Sequence, residues 1–358
     1  MRVGVLGGGQ LARMLAIAGE RIGVATTCLD PAPDACAGQV AKHICAAWDD
    51  PGALDALAAA SDVVTFEFEN VPPASLERLA PRVTVRPSAE ALRVSADRLA
   101  EKNLFRALGS RTAEFAAIAQ PSDADSAARA VGAPAILKTR HSGYDGKGQR
   151  RIGDAGELAS AWRAAGSVPC ILEAMVPFRR EVSIIAVRGL DGALAFYPLS
   201  ENTHRDGILH IAVSRPGDPL QAPAEAVATR LMEKLGYVGV LAIEFFDVDG
   251  ELLVNEFAPR VHNSGHWSIE GAETSQFENH LRAVLGMPLG STAPTGCAAM
   301  VNFVGQMPDA AEVLRLPGAR LHAYGKAPRP GRKLGHATVL DSDPARCGQL
   351  AAQLAGLA

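Results

Sequence analysis

The run Ala135-Ile136-Leu137-Lys138-Thr139-Arg140-His141-Ser142-Gly143-Tyr144-Asp145-Gly146-Lys147-Gly148-Gln149 organises the reading of the whole chain. An apolar stretch, Ala135 to Leu137, ends in Lys138, and a loop follows with glycines at 143, 146 and 148 and a second cation, Lys147, between two of them. Glycine admits positive φ, so successive N–H groups can turn toward one anion while the two ammonium groups supply point charge. The run therefore predicts a glycine-rich flap, residues 141–149, over a polyphosphate. An ordinary hairpin is the alternative, because Asp145-Gly146 is itself a strong turn pair. The Walker pattern, Gly-Lys-Ser/Thr entering a helix, is absent.

The bulk properties narrow the class of protein. With 358 residues and 48% hydrophobic content, the chain predicts two or three domains with real cores. A formal charge of −4 and a pI near 6.2 argue against generic nucleic-acid binding, so anionic ligands must be met by local clusters. The six cysteines lack CxxC spacing, which predicts reduced thiols, a cytoplasmic location and no structural zinc. The N-terminus enters a strand at once and shows no signal-peptide segment, and no run is long enough to cross a bilayer.

Upstream of the flap, Val3 to Leu6, Gly7-Gly8-Gly9-Gln10 and a helical periodicity from Leu11 to Ile22 read as strand, glycine turn and helix. Gly7-x-Gly9-x-x-Ala12 with Asp30 further on satisfies a loose dinucleotide fingerprint, so an NAD-dependent oxidoreductase stands as a rival. Glu67 and Glu69 alternate with Phe66 and Phe68 after Val63-Val64, which predicts two carboxylates on one face and the rings on the other. Residues 1–95 form an α/β domain on this reading. Ser95 is the expected cap of the next helix, with Arg98 and Lys102 on a solvated cationic face.

Downstream, Gly239 to Phe246 and Glu251 to Phe257 flank Asp247-Val248-Asp249-Gly250 and predict a hairpin. A turn centred near Gly250 places Glu244 and Glu256 opposite one another with Asn255 beside them, a repelling pair that calls for a cation; a slip of one residue would separate them. Oxygen ligands of this kind suit magnesium held against phosphate. Arg260, His262, Asn263 and Ser264 then supply donors for an anion, and Arg329 to His336 forms a second basic loop.

Assembled, these segments strongly resemble the N5-carboxyaminoimidazole ribonucleotide synthetases, ATP-grasp enzymes of purine biosynthesis. The resemblance rests on Gly7 to Met14, Phe66 to Pro72, Gly143 to Gln149, Asn255 to Trp267 and Arg329 to His336, in the family's order across nearly the whole chain. It implies mixed α/β and α+β architecture in three parts: an N-terminal open α/β domain (1–95), a central ATP-grasp domain (96–288) and a small C-terminal domain (289–358). It also implies ATP-dependent carboxylation of 5-aminoimidazole ribonucleotide with bicarbonate, magnesium or manganese as the metal, and a homodimer.

Carried over by position, the resemblance assigns Arg98, Lys138, Gly143, Tyr144, Asp145, Gly146, Lys147, Gly148 and Gln149 to the ATP site. Glu173, Ala174, Met175, Val176, Glu181, His204, Asn255 and Glu256 belong to the same site on this assignment. Glu244 and Glu256 hold the metal, and Arg260, His262 and Asn263, with Lys147, serve the phosphorylation of bicarbonate. Gln10, Leu11, Glu67, Asp145, Arg332 and Lys333 are the ribonucleotide candidates. A formate-dependent glycinamide ribonucleotide transformylase would share the phosphate machinery but not the loops at 262–267 and 329–336. A catalytically dead ATP-binding module is disfavoured by the intact lysines and acids.

Overall fold

The structure, a computed structural model, describes residues 1–141 and 148–358, so the flap residues Gly143, Tyr144, Asp145, Gly146 and Lys147 lie outside the described residues, as does the side chain of Pro73. Among the described residues the strands form three sheets. The first is parallel, in the order Lys42–Cys45, Ala25–Asp30, Arg2–Leu6, Val63–Phe66 and Thr84–Val85. Its chain leaves the central strand Arg2–Leu6 to one side and returns on the other, creating a crevice at the carboxyl ends of Arg2–Leu6 and Val63–Phe66, where open α/β sheets bind ligands.

The second sheet is a small antiparallel one of Phe115–Ile118, Cys170–Ala174, Ala135–Thr139 and Gln149–Ile152. Lys138 pairs with Gln149, so the opening stretch is a hairpin whose connection carries the glycines. The hairpin, the alternative reading of that stretch, is present, whereas the polyphosphate reading falls on residues 142–147, outside the described residues. The third and largest sheet runs Glu251–Ala258, Gly239–Val248, Arg180–Arg188, Leu199–Arg205, Ile208–Arg215, Cys297–Val304, Lys333–Asp341 and Arg320–Ala323. Its C-terminal strands bond directly onto Ile208–Arg215, with Ile211 opposite Val301.

The first helix, Gln10–Arg21, joins the parts: Leu11, Met14 and Leu15 pack into one buried cluster with Ile185, Val240, Trp267, Phe277 and Leu281. Burying such side chains contributes about 1.5–3 kcal/mol each. No described helix is long and apolar enough to cross a membrane.

Three local expectations are corrected. Ser95 ends the helix Ala89–Ser95, and Asp97 caps the next one, Arg98–Ala107, by accepting from Leu99 N. Asp97 wins because its carboxylate also holds the Arg140 guanidinium, stitching the helix to the end of Ala135–Thr139. Arg98 and Lys102 are buried rather than solvated. The strand Val63–Phe66 stops before the two acids, so Glu67 and Glu69 are aimed by a turn and not by strand alternation, and Phe68 lines the same cavity as both of them.

Candidate active site

A cavity of about 790 Å³ lies where the three sheets meet. Most of the sequence-predicted residues line it: Gln10, Leu11, Glu67, Arg98, Lys138, Gln149, Glu181, His204, Glu244, Asn255, Glu256, Arg260, His262, Asn263 and Lys333.

The acid pair rests on a bulge. In an unbroken ladder continuing from Val248 opposite Glu251, Glu244 would face Asn255. The register slips between Glu244 and Phe245, so one extra residue is accommodated and Glu244 stands opposite Glu256. Burial, then the neighbouring Glu256 charge, pushes the Glu244 carboxyl up to about 7. Two hard carboxylates in one register position fit a divalent cation such as magnesium. No group of three or more metal-ligating His, Cys, Asp or Glu occurs among the described residues, so the other ligands would be water or phosphate oxygens.

On the side of the small sheet, Lys138 and Lys102 both reach Glu173 Oε2, at 3.1 and 3.2 Å. Burial alone would raise the Glu173 carboxyl, but the two ammonium groups pull it down to about 2. Glu173 therefore sits behind the wall as the anchor of Lys138. Arg98 Nη1 donates to Thr139 O at 2.8 Å. Beyond Glu173, Ala174 N donates to Glu114 O and Met175 N to Pro134 O, while Val176 O accepts from Phe178 N. None of Glu173, Ala174, Met175, Val176 or Gly148 lines the cavity, but Phe178 does, stacked on Phe246 at 4.8 Å between ring centroids. Glu181 contacts His204 Nδ1 at 2.9 Å; burial works against the His204 imidazolium, and the Glu181 carboxylate outweighs it and raises the pKa.

The loop after Glu251–Ala258 is wired into the large sheet. Asn202 Nδ2 donates to Ser183 Oγ (3.0 Å), Ser183 Oγ to Ser264 Oγ (2.7 Å), and Ser264 stands 2.9 Å from His262 Nδ1. Ser264 N also donates to Nδ1, so the ring proton belongs on Nε2, 3.5 Å from Glu244 Oε1. Burial, then the Arg260 charge, holds the His262 pKa well below its ordinary value, so the ring is neutral. Arg260 is paired with Glu69, a contact that reaches from the first sheet to the loop.

In the crevice of the parallel sheet, Glu67 accepts from Gly9 N and from Ala12 N (2.8 Å). The amide groups that a pyrophosphate would need are thus occupied by a carboxylate, and Asp30 accepts from Gly8 N. This removes the dinucleotide reading. Burial raises the Glu67 carboxyl, against the two backbone donors and Lys326. Lys326 bonds Gln10 Oε1 and lies 5.7 Å from the Tyr324 ring centroid. Arg332, by contrast, is directed to Ala327 O and does not line the cavity.

The ATP-grasp domain family matches residues 103–277, the ribonucleotide synthetase preATP-grasp domain residues 1–96 and the phosphoribosylaminoimidazole carboxylase C-terminal domain residues 298–350. The N5-carboxyaminoimidazole ribonucleotide synthase of Pseudomonas aeruginosa is 54% identical over 345 residues, 96% of each chain. The chain belongs to the N5-carboxyaminoimidazole ribonucleotide synthetase family. Among solved structures, the Thermus thermophilus synthetase superposes with a TM-score of 0.95 at 53% identity, covering 99% of this chain and 98% of the other. The Aspergillus clavatus synthase in complex with ADP and 5-aminoimidazole ribonucleotide gives 0.91 at 30% identity, covering 99% and 98%.

For a synthetase of this family, the site contains residues that sequence reasoning missed. Lys102 looked like a surface cation, and nothing local marked it as the second partner of Glu173. Glu101, whose Oε1 accepts from Phe257 N at 2.6 Å, gave no signal because helix spacing does not reveal what the helix packs against. Lys326 stands three residues before the basic loop and could have been included by extending that loop upstream.

Proposed function

We propose that this chain carboxylates 5-aminoimidazole ribonucleotide with bicarbonate at the expense of ATP, giving N5-carboxyaminoimidazole ribonucleotide, ADP and phosphate. The observation that carries the reading is the meeting in one cavity of Lys138, the Glu244 and Glu256 pair, the Arg260, His262 and Asn263 loop, and the Gln10 and Glu67 crevice. These are, in order, what a polyphosphate, a divalent cation, a small oxyanion and a separate acceptor would need.

Glu244 and Glu256, with Asn255 beside them, would hold magnesium or manganese, which when bound neutralises charge on transferring phosphate oxygens. Arg98, Gln149 and Lys138, the last steadied by Glu173, meet the nucleotide from the side of the small sheet, as do Glu181 and His204 from the large sheet. The flap residues Gly143 to Lys147, with Asp145 also facing the acceptor, belong to the same assignment. A bicarbonate oxygen attacks the γ-phosphorus, the bond to the ADP oxygen breaks, and carboxyphosphate results. The acceptor amine then takes up the carboxyl group, by attack on the carbonyl carbon of the anhydride or on the carbon dioxide it releases; phosphate leaves and the amine gives up a proton. Arg260 compensates the oxyanion charge, and the neutral His262 with Asn263 orients it by hydrogen bonding. Gln10, Leu11, Glu67 and Lys333 hold the ribonucleotide, with Lys326 replacing Arg332 as the cation nearest Gln10.

The family resemblance supports a homodimer with the part boundaries at 95 and 288, and the free cysteines agree with a cytoplasmic location. ADP release with ATP, magnesium and bicarbonate, with and without the ribonucleotide, tests the function. Release should rise sharply with the ribonucleotide and fall when bicarbonate is withheld; release indifferent to the ribonucleotide would refute the acceptor.

A further inference from the structure

The strand Cys297–Val304 contributes no residue to the cavity wall, yet one of its side chains touches a residue that does. Asn302 is fully buried and forms a reciprocal amide pair with Asn263: Asn302 Nδ2 donates to Asn263 Oδ1 at 2.6 Å, and Asn263 Nδ2 donates to Asn302 Oδ1 at 3.1 Å. Asn302 Nδ2 spends its second hydrogen on Leu209 O, at 2.8 Å.

The last bond decides the geometry. A carbonyl oxygen only accepts, so the atom of Asn302 facing Leu209 O must be nitrogen, and the orientation of the Asn302 amide follows. That in turn dictates which end of the Asn263 amide is oxygen and which is nitrogen. An unrestrained asparagine could present either end to a ligand. Here each end of Asn263 has one bond taken by Asn302, leaving one N–H and one lone pair for a ligand in the cavity it lines.

We infer that Asn302 is a positioning residue for carboxylation: it locks the Asn263 amide so that a donor of known direction meets the bicarbonate-derived oxyanion. The inference rests on the placing of Asn263 at that oxyanion. Asn302 itself touches no substrate. Through it, the strand Cys297–Val304 acts on the carboxylation chemistry at one remove.

The full-length protein with Asn302→Ala, Asn263→Ala and the double substitution tests this by steady-state kinetics for bicarbonate and for ATP, with a thermal melt of each variant. Each single substitution should raise the KM for bicarbonate about tenfold, the worth of one hydrogen bond to a charged group, while the KM for ATP changes less than about twofold. The double variant should be no worse than Asn263→Ala, because Asn302 acts only through Asn263. Losses that multiply in the double variant, or equal rises for ATP and bicarbonate, would overturn the positioning role. An unchanged bicarbonate KM in Asn263→Ala would instead remove the reading of Asn263 on which the inference stands. If Asn302→Ala is insoluble, Asn302→Asp keeps the volume and one acceptor but repels Asn263 Oδ1. It should give the same selective rise, and a non-selective one would overturn the inference.

Discussion

Replacing Lys102 by methionine tests the electrostatic scaffold behind the nucleotide wall. Lys102 and Glu173 are almost wholly buried, and the Glu173 carboxyl is lowered from the ordinary 4.5 to about 2 by Lys138 and Lys102 together, against its own burial. A depression of that size corresponds to about 3 kcal/mol at neutral pH. For an acid with a lowered folded value, this stability is present above about pH 4.5 and lost as pH falls toward about 2. The Lys102 ammonium is itself penalised by burial, which lowers its pKa and offsets part of the gain. A net loss of about 2 kcal/mol is therefore expected, or roughly 3 °C in melting temperature for a chain of 358 residues. Differential scanning calorimetry at neutral pH reads it directly. Adding Glu173→Gln should recover at least half of the loss, because the carboxylate left without its second partner is then gone. A Lys102→Met protein that melts with the parent would sink the argument. So would a double variant that melts lower than the single one, since Lys102 would then be supporting something other than Glu173. The KM for ATP should also rise in Lys102→Met, as Lys138 is drawn fully onto Glu173.

Three further outcomes are expected. Glu256→Gln should abolish turnover with a melting temperature close to the parent, and near-normal ADP formation would refute the metal assignment; in the same variant the Glu244 carboxyl should titrate below its present value of about 7, because one cause of the rise is removed. His280 is buried and held at about 4, with Nε2 beside Thr65 Oγ1 and Val240 N donating to Nδ1. A lowered base stabilises above the unfolded value near 6.5 and loses that contribution as pH falls toward 4, so by pH 5 His280 should cost about 2 kcal/mol, read as a flatter stability profile between pH 7 and 5 in His280→Gln. Gly7→Ala should be strongly destabilising, since Gly7 has φ of +105° and an added Cβ would stand 2.4 Å from Glu67 Cγ; a soluble Gly7→Ala protein with unchanged ribonucleotide KM would show that Glu67 does not depend on that turn.

The parts of this molecule legible in its sequence are those governed by local rules. The strand, glycine turn and helix at 2–21 and the hairpin at 239–258 follow from periodicity and turn chemistry alone. The opposition of Glu244 and Glu256 was legible only in part, since a two-residue turn without a bulge would have set Glu244 against Asn255. What failed was whatever depended on distant partners. Asp97 outcompetes Ser95 as a cap because Arg140, more than forty residues away, shares its carboxylate. Arg98 and Lys102 looked solvated because their partners, Thr139 O and Glu173, come from another sheet. The dinucleotide fingerprint matched because any such turn needs glycines; only the position of Glu67 shows that a protein carboxylate fills the nest.

The direct bonding of Cys297–Val304 onto Ile208–Arg215 bears on how this chain can be recombined. A cut between the central and C-terminal parts would strip Ile208–Arg215 of its neighbour and leave Ile211 and Val213 along an open edge able to pair with other molecules. Shuffling with relatives should therefore keep residues 208–215 and 297–341 from one parent, whereas a junction near 96 divides no strand pairing among the described residues, only side-chain packing and side-chain bonds such as Arg260–Glu69, Lys326–Gln10 and Thr65–His280.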